Sequence, residues 1–323
     1  MWTYSISSPR TLRALEALSP DPADMPAGTV LLRPLAGAIC GSDMAFYRGR
    51  VSPFHDPELA RASAIPGFSL HEIVGEVAAC PGGEFEPGTV VVGWANGCDA
   101  LAEWVVTAAS SVVEVPEGLR PTRAVSLQPL ACVVEMVSRL PRVEGATVAI
   151  AGLGPIGLLF AHALKDAGAA HVIGIDPVDR TGAAERFGLD ATVRSTVEAW
   201  RMNLADDERP DIVVEAVGHQ VGTLAECLRA TAPGGTTFYF GVPDDMVYPV
   251  PLDHMFRNSI ALLTGNVRNH RAALEQAVAY VARHPALLDD LVSHELGIHD
   301  ASAAYAIADT VAPDRLKVVL DFA

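Results

Sequence analysis

Basic residues are scarce in this chain. Its 323 residues hold 23 Lys and Arg against 39 Asp and Glu, a formal net charge of −16. A surface that acidic repels phosphate backbones and anionic headgroups, which argues against nucleic acid and membrane surfaces as partners. Cysteine is scarce too. Cys40, Cys80, Cys98, Cys132 and Cys227 are five, an odd number without a framework, so no disulfide-stapled secreted scaffold is expected. The N-terminus, Met1-Trp2-Thr3-Tyr4-Ser5, lacks the basic stretch followed by an apolar one that marks a signal peptide. The sequence has no internal repeat, low-complexity tract or long linker. The one uncharged run of membrane-spanning length, Gly145 to Leu164, is broken by Gly152, Gly154, Pro155 and Gly157. A strand, a glycine turn and a helix fit that run better than one long helix. A mean hydropathy of +0.26 is too apolar for a disordered chain. These readings point to a folded, cytoplasmic protein, and the length to about two domains.

Two kinds of segment are present. Up to about residue 125, short strand candidates such as Val30–Leu35, Ile73–Ala78, Thr89–Val92 and Glu103–Thr107 are punctuated by Gly and Pro, the pattern of an irregular β domain. From about residue 126, strands and helices alternate. Thr147–Ala151, His171–Ile175, Asp211–Glu215 and Thr236–Phe240 read as strands, and Ile156–Asp166, Gly182–Phe187 and Leu224–Thr231 as helices. Such alternation predicts a parallel sheet covered on both faces. After about Gly265 come an amphipathic helix, Arg271–Arg283, and a last strand, Lys317–Asp321, pieces that complete a neighbouring domain. The expected division is 1–125 with 266–323, around an inserted 126–265.

Gly152-Leu153-Gly154-Pro155-Ile156-Gly157 is a GxGxxG that follows a strand and opens a helix, the context that gives this motif meaning. Its glycines allow a tight turn and close approach of a pyrophosphate to the helix N-terminus. Asp176 ends the next strand, where a carboxylate accepts hydrogen bonds from ribose hydroxyls and repels a 2′-phosphate. NAD is therefore the preferred cofactor. Arg180, four residues on, can accommodate a 2′-phosphate and keeps NADP as the alternative.

Cys40-Gly41-Ser42-Asp43, then His71-Glu72, then Gln128-Pro129-Leu130 bring together residue types that suit zinc, although their spacing is not that of a finger or ribbon. Taken alone, a single Cys or His is more often simply buried. In order and spacing, these motifs and the glycine turn resemble the zinc-dependent medium-chain alcohol and polyol dehydrogenases across nearly the whole chain. Pro233-Gly234-Gly235 and the closing Lys317-Val318-Val319-Leu320 extend the likeness. The nearest branches are the sorbitol, threonine and glucose dehydrogenases.

The resemblance implies a GroES-like catalytic domain beside a Rossmann domain, and one catalytic zinc held by Cys40 and His71. Glu72 and Gln128 are the additional ligands. Ser42 takes the substrate hydroxyl proton while hydride passes to the nicotinamide. It also implies a homodimer or homotetramer and a small hydroxylated substrate. Gln128 stands where the polyol branches carry Glu, and Ala45 replaces a relay residue for which Asp43 or His55 is a substitute. The four-cysteine lobe for a structural zinc is missing, and Cys98 alone cannot replace it. A thiolate, a carboxylate and Zn²⁺ sum to zero charge, which strengthens the Lewis acid.

Strand alternation predicts that His71 and Glu72 point to opposite faces. Asn96, Glu103, Glu135, Asn258, Arg268 and Asn269 are polar residues near the motifs that could touch a hydroxylated substrate, with a solvated or structural role as the favoured reading. Trp94 and Trp104 read as core. Two rival readings are a zinc-free medium-chain reductase of enones or quinones, which has no use for Cys40, His71 and Glu72 together, and a catalytically silent dinucleotide-binding protein.

Overall fold

The computed structural model describes residues 1–49, 65–243 and 245–323. The N-terminal region opens with a hairpin, β1 (Trp2–Ser8) and β2 (Thr11–Glu16), followed by β3 (Thr29–Ile39) and a short helix α1 (Gly41–Tyr47). Next come β4 (Glu72–Ala79), β5 (Val90–Trp94), β6 (Val105–Ala108), β7 (Val112–Glu114), and the helices α2 (Pro121–Ala124) and α3 (Leu127–Ser138). The middle third holds β8 (Thr147–Ala151), α4 (Pro155–Asp166), β9 (His171–Asp176), α5 (Thr181–Ala184), β10 (Ala191–Arg194) and α6 (Val197–Met202). It continues through β11 (Ile212–Glu215), α7 (Val221–Ala230), β12 (Thr236–Tyr239), α8 (Leu252–Asn258) and β13 (Ala261–Thr264). The chain closes with α9 (His270–Arg283), α10 (Leu287–Leu291), β14 (Val292–Gly297), α11 (Ala301–Asp309) and β15 (Lys317–Asp321).

Among the described residues, β8 to β13 form a parallel sheet in the order β10-β9-β8-β11-β12-β13. That is the 3-2-1-4-5-6 order of the doubly wound dinucleotide fold, with its crevice between β8 and β11. Ile212 to Val214 are buried and apolar, the continuous run of a strand covered on both faces, and Glu215 ends the strand buried as well. The second sheet runs β14-β15-β3-β4-β5-β7, with β6 on β3. It mixes residues from both ends of the chain, because β15 lies antiparallel to β3 with Val319 opposite Ala38.

The uncharged run 145–164 is split as its glycines predict. β8 ends at Ala151, and α4 is twelve residues long with Gly154 as N-cap and Pro155 in its first turn. Among the described residues, no helix is long and apolar enough to cross a membrane. Gly152 lies at φ +90°, and a Cβ on Gly157 would overlap the Gly152 carbonyl oxygen, so both positions require glycine.

Two elements differ from the sequence reading. β3 continues through Pro34 to Ile39, because its register against β4 shifts between Pro34 and Ala36 and absorbs the missing N–H. The helix expected at Gly182–Phe187 is a single turn, Thr181–Ala184, in a segment bounded by Gly182 and Gly188, which weaken helix.

Candidate active site

The two sheets meet at a cleft of about 790 Å³. Cys40, Gly41 and Lys317 line it from the catalytic side, and Gly152, Gly154, Pro155, Ile156, Asp176 and Arg180 from the nucleotide side. The structure thus gathers most of the predicted cofactor residues and one predicted metal ligand on one surface. Gly157 stands behind it, buried in the first turn of α4. The backbone N–H groups at the start of α4 supply the positive helix end that a pyrophosphate requires.

Cys40 follows β3 as the N-cap of α1, and His71 immediately precedes β4. Because the strand begins at Glu72, strand alternation does not bind His71, and both side chains converge. The ligand atoms of Cys40, His71 and Glu72 all lie within 4.8 Å of one another, the one such group of His, Cys, Asp and Glu among the described residues. This corrects the expectation that the two neighbours face opposite ways.

Three further contacts hold the cluster. Asp43 is 2% exposed, and its Oδ2 accepts from the Cys40 backbone N–H at 2.8 Å. Its Oδ1 lies 3.0 Å from His71 Nδ1, which leaves Nε2 for a ligand role. Asp43 therefore orients the imidazole, and both its oxygens are occupied; it is not placed as a proton relay. His55, the other relay candidate, lies outside the described residues. Lys317 Nζ donates to Glu72 Oε1 at 2.7 Å, both side chains being almost fully buried. Glu72 Oε2 is buried without a partner.

Burial opposes the charged form of His71, but Asp43 and Cys40 outweigh it and hold its pKa well above the usual range. A metal bound through Nε2 would compete with a proton for this ring. A sulfur, a nitrogen and a carboxylate oxygen in mutual reach, on a carboxylate that keeps one buried oxygen unpartnered, fit a zinc ion. The charge count gains two members, Lys317 and Asp43, which cancel each other.

Gln128 is 3% exposed in the first turn of α3, and its Nε2 donates to Cys132 Sγ at 3.6 Å. Cys132 is close enough to the cluster that burial, together with the charges of Cys40 and Glu72, pushes its thiol up to about 12. Ser42, half-buried on α1, makes no hydrogen bond to a described residue.

Asp176 reaches the cleft, with Oδ2 accepting from Leu153 N–H at 2.7 Å and Oδ1 from Val178 N–H at 2.8 Å. Each oxygen keeps a free lone pair for a ribose hydroxyl. Arg180 lines the cleft and is partly engaged by the fold. It is 5% exposed, and one nitrogen donates to the carbonyls of Ala312 (3.0 Å), Pro313 (2.6 Å) and Arg315 (3.1 Å). It fastens the segment before β15 to the nucleotide domain, so that nitrogen is not free for a 2′-phosphate.

Most of the lesser candidates prove structural. Asn96 accepts from Thr107 and Ala108, Glu103 from the Trp2 N–H, Asn269 caps α9, and Asn258 bonds His254. Arg268 is exposed. Trp94, expected in the core, is half-buried and pairs directly opposite Glu72 in the sheet. Its indole stacks on His270 with ring centroids 4.2 Å apart. Sequence reasoning missed His270 and the role of Lys317. No local pattern marks either, since both reach the site from the far end of the chain.

Fold and site together define a nicotinamide-dependent dehydrogenase of the medium-chain type. Residues 26–117 match the family model of the alcohol dehydrogenase GroES-like domain, and residues 155–283 that of the zinc-binding dehydrogenases. The chain is 30% identical to D-altritol 5-dehydrogenase of Agrobacterium fabrum, over 86% of this chain and 88% of that protein. It is 27% identical to L-threonine 3-dehydrogenase of Pyrococcus abyssi, over 72% of each. Its fold superposes on alcohol dehydrogenase TADH from Thermus sp. ATN1 with a TM-score of 0.78, at 24% identity and 99% coverage of both chains. The chain belongs to the zinc-binding alcohol and polyol dehydrogenases, and it is an NAD(P)-dependent alcohol dehydrogenase.

One buried acid in the cleft wall gives a pH signature. Glu215 ends β11 just before Ala216 and Val217, which line the cleft. Burial pushes its carboxyl up to about 7, against the backbone N–H groups of Gly218, Val217 and Gly241. Between the unfolded value near 4.5 and this one, the native state holds a proton that the unfolded chain has lost. Its contribution to stability is therefore greatest below the unfolded value and fades as pH rises through the folded one. From pH 5 to pH 8, wild type should lose about 2–3 kcal/mol more unfolding free energy than Glu215→Gln. Parallel pH profiles in urea unfolding would contradict this.

Proposed function

We propose that the chain oxidises a secondary alcohol of a polyol, sugar or cyclitol to a ketone, reversibly, with NAD as preferred cofactor and one zinc per chain. The observation that carries this reading is the convergence of Cys40, His71 and Glu72 at the end of the cleft that holds the glycine turn. The likeness to a D-altritol dehydrogenase supports a hydroxyl-rich substrate. When bound, zinc supplies the Lewis acidity that makes an alcohol proton easier to remove.

Cys40, His71 and the free oxygen of Glu72 would hold the metal, with Gln128 in the next position. Asp43 and Lys317 keep two of those ligands in place. Ser42 takes the hydroxyl proton and releases it towards solvent. A bound nicotinamide, in its oxidised form, would accept the substrate's C–H pair as hydride while the C=O bond forms. Asp176 orients the adenosine ribose, and the start of α4 seats the pyrophosphate, so the protein supplies position and charge while the cofactor carries the electrons.

Zinc quantification and a substrate panel test the reading. The purified protein should carry one zinc per chain and reduce NAD faster than NADP with polyols. Cys40→Ser should lose the metal and nearly all turnover. Full activity in a metal-free Cys40→Ser protein, or a clear preference for NADP, contradicts it.

We also propose a homodimer or homotetramer built on the nucleotide-domain sheet. Strand β13 has β12 as its sole neighbour among the described strands and presents an open edge. Near it, Phe256 is 82% exposed, Val247 76%, Met246 72% and Leu252 69%, a concentration of apolar surface that a partner copy would cover. Light scattering should find a dimer or tetramer, and Phe256→Glu should shift it towards monomer. A monomeric wild type contradicts the proposal.

A further inference from the structure

We propose that His270 and Glu135 form a second recognition element of the active site, one that reads hydroxyl groups of the substrate beyond the carbon being oxidised. This rests on the dehydrogenase reading above and names its substrate class more closely: an open-chain polyol of about five or six carbons.

Both residues belong to a continuous row of side chains that starts at the metal ligands. Trp94 is the cross-strand neighbour of Glu72, and the N–H of Ala95 donates to the His71 carbonyl at 2.8 Å. The Trp94 indole lies on the imidazole of His270, the rings 4.2 Å apart and inclined by 13°. Ser111 Oγ sits 2.9 Å from His270 Nδ1 and fixes the ring from its other side. His270 Nε2 makes no hydrogen bond to a described residue and remains available.

On the helix facing it, Gln128, Cys132 and Glu135 follow one another at i, i+4 and i+7, a single face of α3. Seven residues advance about 10 Å along the axis. Glu135 has a side-chain exposure of 13%. Its Oε1 pairs with Arg139, and its Oε2 is buried with no partner. Burial lowers the pKa of His270 and the Glu135 carboxylate opposes that, so the two groups feel each other and the imidazole is neutral at pH 7.

An unpartnered carboxylate oxygen and a half-buried neutral imidazole nitrogen call for groups that donate and accept at once. Hydroxyls do both. A hydroxyl donates to Glu135 Oε2, and its neighbour along the same carbon chain meets His270 Nε2. A simple alkanol offers neither and leaves Glu135 desolvated and unpaired, which a site built for hydroxyls penalises strongly. The distance from Gln128 to Glu135 sets the length of chain that can satisfy both ends.

The test compares kcat/KM of the zinc-loaded enzyme with NAD for a hexitol panel that includes altritol, and for 2-butanol. Glu135→Gln and His270→Asn should each lower the ratio of hexitol to 2-butanol kcat/KM by about 10- to 100-fold, chiefly through KM. A second readout needs no turnover. Hexitol binding should change the tryptophan fluorescence of the wild type, and that change should vanish in Trp94→Phe. If Glu135→Gln fails to fold, His270→Asn carries the same expectation. An unchanged ratio in the folded variants overturns the inference. So does a wild type that oxidises 2-butanol but no hexitol. A zinc-loaded wild type that oxidises neither overturns the dehydrogenase reading itself, and this inference with it.

Discussion

The carboxylate of Glu72 is shared between a buried lysine and an open position. Lys317 takes Oε1, Oε2 has no partner of its own, and the carboxylate lies within ligand reach of the Cys40 sulfur and the His71 imidazole. Breaking such a buried pair from one side costs about 3–5 kcal/mol, so the pair ties the two ends of the chain together. For Lys317 to reach Glu72, β15 must lie against β3, and β3 against β4. The order of the catalytic sheet is thus the condition for the site. A polar cluster left incomplete in this way gains most from a cation that supplies the missing contact.

The second constraint is the meeting of the two sheets. The crevice between β8 and β11 opens where the glycine turn leaves β8, and the catalytic sheet presents Cys40 and Lys317 to the same cleft. Arg180 reinforces that junction by holding three carbonyls of the segment that leads into β15. One guanidinium therefore links the loop after β9 to the strand that carries Lys317.

What could be read from sequence follows from how local each feature is. Gly152, Gly154, Gly157 and Asp176 sit within one βαβ unit, and their spacing carries their meaning. Cys40 and His71 were legible through the motif that each opens, and the two ends of the catalytic domain through the closing strand. Strand alternation misjudged His71 and Glu72 because it was applied to a residue outside the strand: β4 starts at Glu72, and His71 belongs to the loop before it. Asp43 was visible as a residue but not as the partner of His71, a contact made across 28 positions. Lys317 lies 245 residues from Glu72, and His270, at the start of α9, stacks on the tryptophan that ends β5. Such pairs depend on tertiary folding alone. Arg180 shows the reverse case: its local position suggested a phosphate, and the contact that spends one of its nitrogens on residues 312–315 comes from more than 130 positions away.

X-ray absorption at the zinc edge of the purified full-length protein tests the account most directly, because it reads the donor atoms themselves. A site made by Cys40, His71, Glu72 and Gln128 predicts one sulfur per zinc, with nitrogen and oxygen as the remaining neighbours, and loss of that sulfur signal in Cys40→Ser. Two or more sulfurs per zinc, or an unaltered spectrum in the variant, would place the metal elsewhere and contradict the account.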